Sequence, residues 1–522
     1  MLKPLRSKAA ARAPVSEPAF LPAPTKGWYV GANLADAPAG TAYVLDNAFP
    51  QLDYIRMRRG SAAYATGMTS AAVSALMPYT SGSASKLFAV CSGSIFDVSS
   101  AGAVGAAAVT GLNSSATFEY VQFTNTATTW LMAVNGVDAA QLYNGSAWVT
   151  APAITGLTGG NLAQVWVCKN RVYGVQTSSL SAWYLGLSSL GGAATQLDLS
   201  GIFKYGGSLL CGTEWAISSN SGLYQVNVFI TTEGEVAIYD GLFPGDTSWA
   251  IKGLYKISKP LGRRCFIRAG GDLAIMTEDG IIPMSQVMTL DQIALQNKAI
   301  TAPIAPAWRR AVLDRTGQTG WQLLLWPLES MGIVNLPKSN AGDRTQFIAN
   351  ARTGAWARYQ GWDANCFAVY NNNLYYGTSD GRVMQAETGG QDDGGNYTMT
   401  IFPSYNSLKA AASRKFVKMV RPRVQASFPI TPQITVKIDY DTTTPNVPSA
   451  NPITSAGAVW DTAKWDIDVW PSELSDQSTW IAAQALGMVV SPVFQLTLST
   501  SQNPDIRLTA TEMLYELGNA LG

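Results

Sequence analysis

A strand–turn–strand unit recurs along the middle of this chain, and a chain built of such units has few folds open to it. The unit reads LFAVCSGSIFD at 87–97, LMAVNGVDAAQLY at 131–143 and VFITTEGEVAIY at 228–239. It returns as LAIMTEDGII at 273–282 and LYYGTSDGRVM at 374–384. Each copy is a short apolar run, a turn carrying Gly, often as Asn-Gly or Asp-Gly, and a second apolar run. Such turns need positive φ at their centre, which makes this the strongest short-range signal of a β-hairpin. Weaker copies fill the gaps at 171–183 and 321–326. The copies lie roughly 40 to 55 residues apart, the length of a propeller blade. The spacing predicts an all-β fold whose core is a β-propeller of six or seven blades.

The 522 residues are enough for two or three domains. Hydrophobic residues make up 47%, charged residues 14%, and Gly numbers 48, which excludes a disordered or coiled-coil chain and suits a turn-rich β protein. So low a charge density predicts a surface partly covered by neighbours, hence assembly. Lys plus Arg is 36 against 35 for Asp plus Glu, and a net charge of +1 gives no global case for wrapping nucleic acid.

Five cysteines, at 91, 168, 211, 265 and 366, show no CxxC or zinc-like spacing. They read as small buried hydrophobes of a protein that matures in a reducing cytoplasm. No run approaches 18 apolar residues, so no membrane-spanning helix is expected. Residues 1–24 carry Lys3, Arg6, Lys8 and Arg12 without an apolar core, which does not fit a secretory signal. Pro4, Pro14, Pro18, Pro22 and Pro24 make the same stretch a poor helix and a poor strand, an extended arm that stays loose or docks on a partner.

Four regions follow: the arm at 1–24, a Gly- and Pro-punctuated segment at 25–62, the repeats at 63–390, and a C-terminal region at 391–522. The turn formers of 387–396 mark the last boundary. Beyond it the strands alternate cleanly. Trp465, Ile467 and Val469 face one way and Asp466 and Asp468 the other, and similar runs stand at 434–440, 493–498 and 506–510. This is the pattern of an antiparallel sandwich, half buried and half wet. Helix is expected only at 291–297 and 480–486.

The chain has no histidine. That excludes Ser-His-Asp and Cys-His nucleophile systems, HExxH zinc sites and any His general base. Carboxylate catalysis needs only two acids, and Glu233, Glu235, Glu278, Asp279, Asp380, Asp439 and Asp441 are the candidates. Most sit at hairpin turns or on polar strand faces, where solvated acids belong. No catalytic, cofactor-binding or metal-ligating residue is assigned. Asp439-x-Asp441 and Asp466-x-Asp468 match only two positions of a calcium loop, and no phosphate loop is present. Three basic clusters stand out: Arg56, Arg58 and Arg59; Arg263, Arg264 and Arg268; and Arg414, Lys415, Lys418, Arg421 and Arg423. They lack the aromatic interleaving of a base-stacking surface and read as protein interface or solvated strand face.

The flanks of the repeats carry a resemblance. Gly27, Asn33, Pro38, Gly40, Ala42, Leu45, Asn47 and Pro50, then Arg56, Arg58 and Gly60, resemble the opening of tail proteins of short-tailed bacteriophages. These are called tail nozzle, tail tubular protein B or packaged-DNA stabilization protein. The run TEMLYELG at 511–518 resembles their closing strand, with Asn519 where a second Gly is more typical. The resemblance implies that both flanks pack as a sandwich-like platform with the propeller inserted between them. It implies a virion protein, assembled in the bacterial host cytoplasm, that forms a homohexameric ring below the portal and the head-to-tail adaptor. Double-stranded DNA would pass through the ring without being read and be retained until ejection. Tail fibre or tail needle proteins are further partners it allows. No enzyme activity, cofactor or membrane insertion is implied. The alternative is a carbohydrate-binding or host-adhesion propeller of a phage tail, for which exposed Trp at equivalent blade positions would be the mark.

Overall fold

Hairpins close tightly here because their turns occupy the left-handed backbone region. Ser92 and Gly93 have φ of 48° and 70°, Lys169 and Asn170 47° and 57°, and Asn371 and Asn372 47° and 64°. Two successive positive φ values give the turn whose twist matches that of its strands. At Gly93 nothing larger fits, since a Cβ would lie 2.1 Å from the Leu112 carbonyl oxygen. The chain is described by a computed structural model at residues 16–31, 33–126, 128–219, 222–452 and 474–520. It is all-β, with 49% strand and 5% helix.

Two compact units divide it. One runs from Arg59 to Gly395 and takes in Ser501–Asn503; the other joins the chain up to Arg58 with Asn396–Thr500 and the residues from Pro504. Seven antiparallel sheets follow one another along the first. Sheet 1 is Val73–Ser81, Ala84–Cys91 and Ser94–Asp97, and sheet 2 is Glu119–Thr124, Thr129–Val134, Gln141–Tyr143 and Trp148–Val149. Sheet 3 is Leu162–Cys168, Arg171–Gln176, Ser181–Tyr184 and Thr195–Asp198. Sheet 4 is Leu209–Ser219, Gly222–Thr231, Glu235–Asp240 and Ala250–Lys256. Sheet 5 is Phe266–Ala269, Asp272–Thr277 and Gly280–Pro283, and sheet 6 is Gln322–Trp326, Met331–Asn335, Thr345–Asn350 and Trp356–Gln360. Sheet 7 takes Cys366–Tyr370, Asn373–Gly377 and Val383–Ala386, then Ser61–Thr66 from the start of the unit as its fourth strand. Each of the seven sequence repeats falls in a different sheet.

The first strand of each sheet lies beside the sheet that follows, and Cys366–Tyr370 of sheet 7 packs on Val73–Ser81 of sheet 1. The ring therefore closes as a seven-bladed propeller. Apolar layers fill the gaps between blades: Met77, Phe88, Leu131 and Tyr143 between sheets 1 and 2, and Trp166, Tyr173, Phe229 and Tyr239 between sheets 3 and 4. Glutamines stitch neighbouring first strands, Gln164 and Gln322 from buried positions and Gln122 from an exposed one. Gln164 of sheet 3 donates its amide to the Gly212 carbonyl (2.9 Å) and accepts the Gly212 N–H (3.0 Å). Gln322 does the same to Phe367, at 2.9 and 2.7 Å, and Gln122 to Thr80, at 2.8 and 2.9 Å.

The other unit is a two-sheet sandwich. In one sheet Ile506–Ala520 lies between Ser413–Ala426 on one edge and Ile55–Met57 and Glu17–Pro22 on the other. The second orders Ala42–Asp46, Thr398–Pro403, Val490–Ser499 and Gln433–Ile438. Val417, Val420, Met513 and Tyr515 meet Leu408, Val490 and Val436 in the core between them. Asn47, at φ 53°, ties the entry together: it donates to the Thr398 carbonyl (2.9 Å) and accepts from Arg58 Nε (2.9 Å).

Several expectations need correction. The arm is not a poor strand throughout, because Glu17–Pro22 pairs antiparallel with the closing strand. It is an edge strand, where Pro18 and Pro22 can turn their missing donors outward. Residues 480–486 are not helical. Ile481–Gly487 is a strand, and Ile481, Ala483 and Ala485 pack inward at period two, overriding the helix preference of an Ala-rich run. A helix at Ala305–Asp314 was not anticipated; Pro306 opens it and Ala307, Trp308 and Ala311 are buried. Val490–Ser499 is buried at all but its last residue rather than half wet. The alternation at 465–469 lies outside the described residues.

Gln164→Leu removes both bonds to Gly212 and leaves a buried N–H and a buried C=O unmet. It should lower unfolding stability by about 2–4 kcal/mol, read by urea denaturation, whereas Gln196→Leu on an exposed position should change it by about 0.5 kcal/mol or less.

Candidate functional site: the axial cavity of the propeller

The first strands begin at one end of the ring, and side chains there converge on its centre. Arg264, just before sheet 5, reaches across to sheets 1 and 2. Its Nε donates to Glu119 (2.9 Å), one terminal nitrogen to the Ser74 carbonyl (3.3 Å), and the other to the Phe118 carbonyl. Both partners of the ion pair are largely buried, with side chains 15% and 14% exposed. Burial works against the Arg264 charge and the adjacent carboxylate outweighs it, so the guanidinium stays ionised.

Beside this pair opens a cavity of about 600 Å³. Its wall runs from Glu119 and Leu210 through Arg263 and Arg264 to Trp321, and the segment after the Ala305–Asp314 helix completes it with Arg315, Thr316 and Gln318. Arg315 is itself buried and engaged, its Nε on the Pro337 carbonyl (2.8 Å) and one terminal nitrogen on Asp314 (3.0 Å). Sequence reasoning singled out Arg263 and Arg264 but missed Glu119 and the 315–320 segment. An isolated Glu far from the cluster, and a loop without a motif, gave no sign that a ring would gather them.

The candidate acids are placed apart in supporting roles. Glu233 pairs with Lys259 (2.8 Å), Asp380 with Arg382 (2.8 Å) and Asp441 with Lys437 (2.8 Å). Buried Glu235 accepts the N–H groups of Lys204 and Tyr205, both at 3.0 Å, and Asp439 accepts that of Met488 at 2.7 Å. Asp279 takes the Ser258 hydroxyl and the Gln296 amide. Glu278 is exposed at the rim of the axial cavity. Among the described residues no three Cys, Asp or Glu gather as a metal site, and Asp466 and Asp468 lie outside those residues. All five thiols are free and buried, and burial pushes Cys366 up to about 11 and Cys168 up to about 12.

The basic clusters prove internal in part, against the expectation of interface or solvated face. Arg58 is fully buried, with its guanidinium 3.8 Å from the centre of the Tyr397 ring. Lys415 is also buried, and its ammonium donates to the carbonyls of Ala410, Ser413 and Met488, which replace its water shell. Lys418 pairs with Glu516, and Arg421 and Arg423 share Glu512 across the strand pair. Arg268 lies 4.0 Å from Glu214, and Arg414 is exposed. Trp183 and Trp321 are buried, Trp130 is half-buried, and no tryptophan among the described residues is in the exposed class.

No protein-family model matches the chain, and no curated protein matches it. Among solved structures it is similar to the computationally designed Ika8 protein, at 9% identity and a TM-score of 0.37, over 62% of this chain and 99% of that one. It is also similar to BBS1N, solved in complex with ARL6DN, at 12% identity and a TM-score of 0.30, over 40% of this chain and 64% of that one. Likenesses at these scores carry no argument; the fold rests on the strand pairings.

Removing either partner of the Arg264–Glu119 pair strands a buried charge. Glu119→Ala and Arg264→Ala should each cost about 3–5 kcal/mol, and the double variant clearly less than their sum, measured as a double-mutant cycle in urea. In the sandwich, Arg421, helped by Arg423, holds the Glu512 carboxyl below its ordinary range. Its contribution is present above the unfolded carboxylate pKa of about 4.3 and is lost as pH falls through the lower folded value. Glu512→Gln should therefore lower Tm near neutrality, with the gap to the parent protein closing as pH is lowered through that window.

Proposed function

We propose that this chain is a structural protein of a short-tailed bacteriophage, a tail nozzle that forms a homohexameric ring beneath portal and adaptor. The ring extends the DNA channel, retains the packaged genome and opens for ejection, with no bond made or broken. The observation that carries this reading is topological. The two flanking segments that resemble the nozzle family share one sheet, with Ile55–Met57 hydrogen-bonded beside Ile506–Ala520, and the propeller is an insertion between them. Phe20, Leu486 and Leu517 of that sheet leave large apolar side chains in solvent in the single chain, as subunits of an obligate ring would. Interfaces of that kind commonly bury roughly 2,000 Å² or more, and in a closed ring each joins two different patches. A near-neutral charge suits a channel through which DNA slides unread, because a basic lumen would hold the phosphates. The buried and half-buried tryptophans give the adhesin alternative no support.

Mass photometry and negative-stain microscopy of the purified protein, alone and with a portal–adaptor complex, test the reading. A six-fold ring with an axial hole is expected, free or on the adaptor. A stable monomer that ignores the adaptor and binds a polysaccharide would overturn it in favour of the adhesin.

A further inference from the structure

Arg263 stands beside Arg264 in the wall of the axial cavity, yet the two differ in one respect. Arg264 is fully engaged by Glu119 and two carbonyls, whereas Arg263 makes no hydrogen bond or ion pair among the described residues. Its Nε is shut off from solvent and has no acceptor. A desolvated, unmatched donor costs free energy, and the two terminal nitrogens, likewise unbonded but still accessible, are the ones a ligand oxygen can reach. The neighbouring groups cannot supply that oxygen, because Glu119 is taken by Arg264, and Arg315 is a second cation held by Asp314. The remaining wall offers hydroxyl and amide groups, from Thr117, Thr232, Thr316 and Gln318, and its one other carboxylate, Glu278, is exposed at the rim. A volume of about 600 Å³ suits a small organic ligand and is far larger than a bare inorganic anion needs.

We propose that this cavity binds a small, hydroxyl-rich ligand bearing a carboxylate, an acidic sugar, with Arg263 gripping its acid group. A guanidinium presents parallel N–H donors that match the two oxygens of a carboxylate, and the threonines face the ligand's hydroxyls. The site is independent of the nozzle reading, since it lies wholly within the propeller and needs no second copy.

Calorimetric titration of the full-length protein with glucuronate, galacturonate, glucose and inorganic phosphate at fixed ionic strength tests it. At least one uronate should bind, with glucose weaker by about tenfold or more. Arg263→Ala should weaken uronate binding by about tenfold or more without lowering Tm, because it removes an unmatched donor and no hydrogen bond of the fold, and Arg263→Lys should recover part of the loss. No uronate binding at tens of millimolar, glucose binding equally well, or indifference to Arg263→Ala would overturn the site. Phosphate binding as tightly as a uronate would overturn the sugar assignment.

Discussion

Every blade of the propeller is apolar on both faces, and no blade can satisfy itself alone. The ring must close or leave one blade's face in water. Closure rests on a strand borrowed from the far end of the domain: Ala62, Ala63 and Ala65 pair with Gln385, Met384 and Val383. Tyr376 locks it by donating to the Ser61 hydroxyl at 2.8 Å, and the chain reaches that position through Gly60, where a Cβ would sit 1.9 Å from the Gln391 carbonyl oxygen. At the seam itself Val73 donates its N–H to the Thr378 carbonyl at 3.0 Å. The glutamine bridges and apolar layers elsewhere in the ring hold their geometry only because this joint completes the circle.

The hairpins were legible because turn chemistry and alternation act over a few residues. All seven repeats became separate blades, including the two weaker ones, although Lys169-Asn170 and Asn371-Asn372 supply left-handed turns without any glycine. The number of blades was not legible, since it depends on which first strands lie side by side. The strand at Ile481–Gly487 was misread as helix because alanine favours helices in isolation, while here the partner strand Ser413–Ala426 sets the period. Glu17–Pro22 was hidden by its prolines, which are tolerated at an edge that only the tertiary structure defines.

Charge was the least legible property. The clusters read as uniform basic patches, but their members have separate fates. Arg58 and Lys415 are buried on carbonyls or a ring, Lys418, Arg421 and Arg423 are neutralised by Glu512 and Glu516, and Arg264 spans the propeller axis. Arg263 in its wall lacks a counterpart, although its neighbour in sequence bonds a carboxylate and two carbonyls. Sequence proximity says nothing about which of two adjacent arginines points at an acid supplied from more than a hundred residues away.

The interleaving of the two units also orders their birth. The propeller is almost continuous in sequence, so its ring can shut soon after Gly395 has left the ribosome. The sandwich cannot, because its central strand, Ile506–Ala520, comes well after Gly395 in the chain. Until then Ile55–Met57 and Ser413–Ala426 wait with open edges, and long-range strand pairing of this kind is intrinsically slow and exposed to aggregation. The sandwich is thus completed after the propeller, and its unpaired strand edges stay open for longer than any edge of the ring.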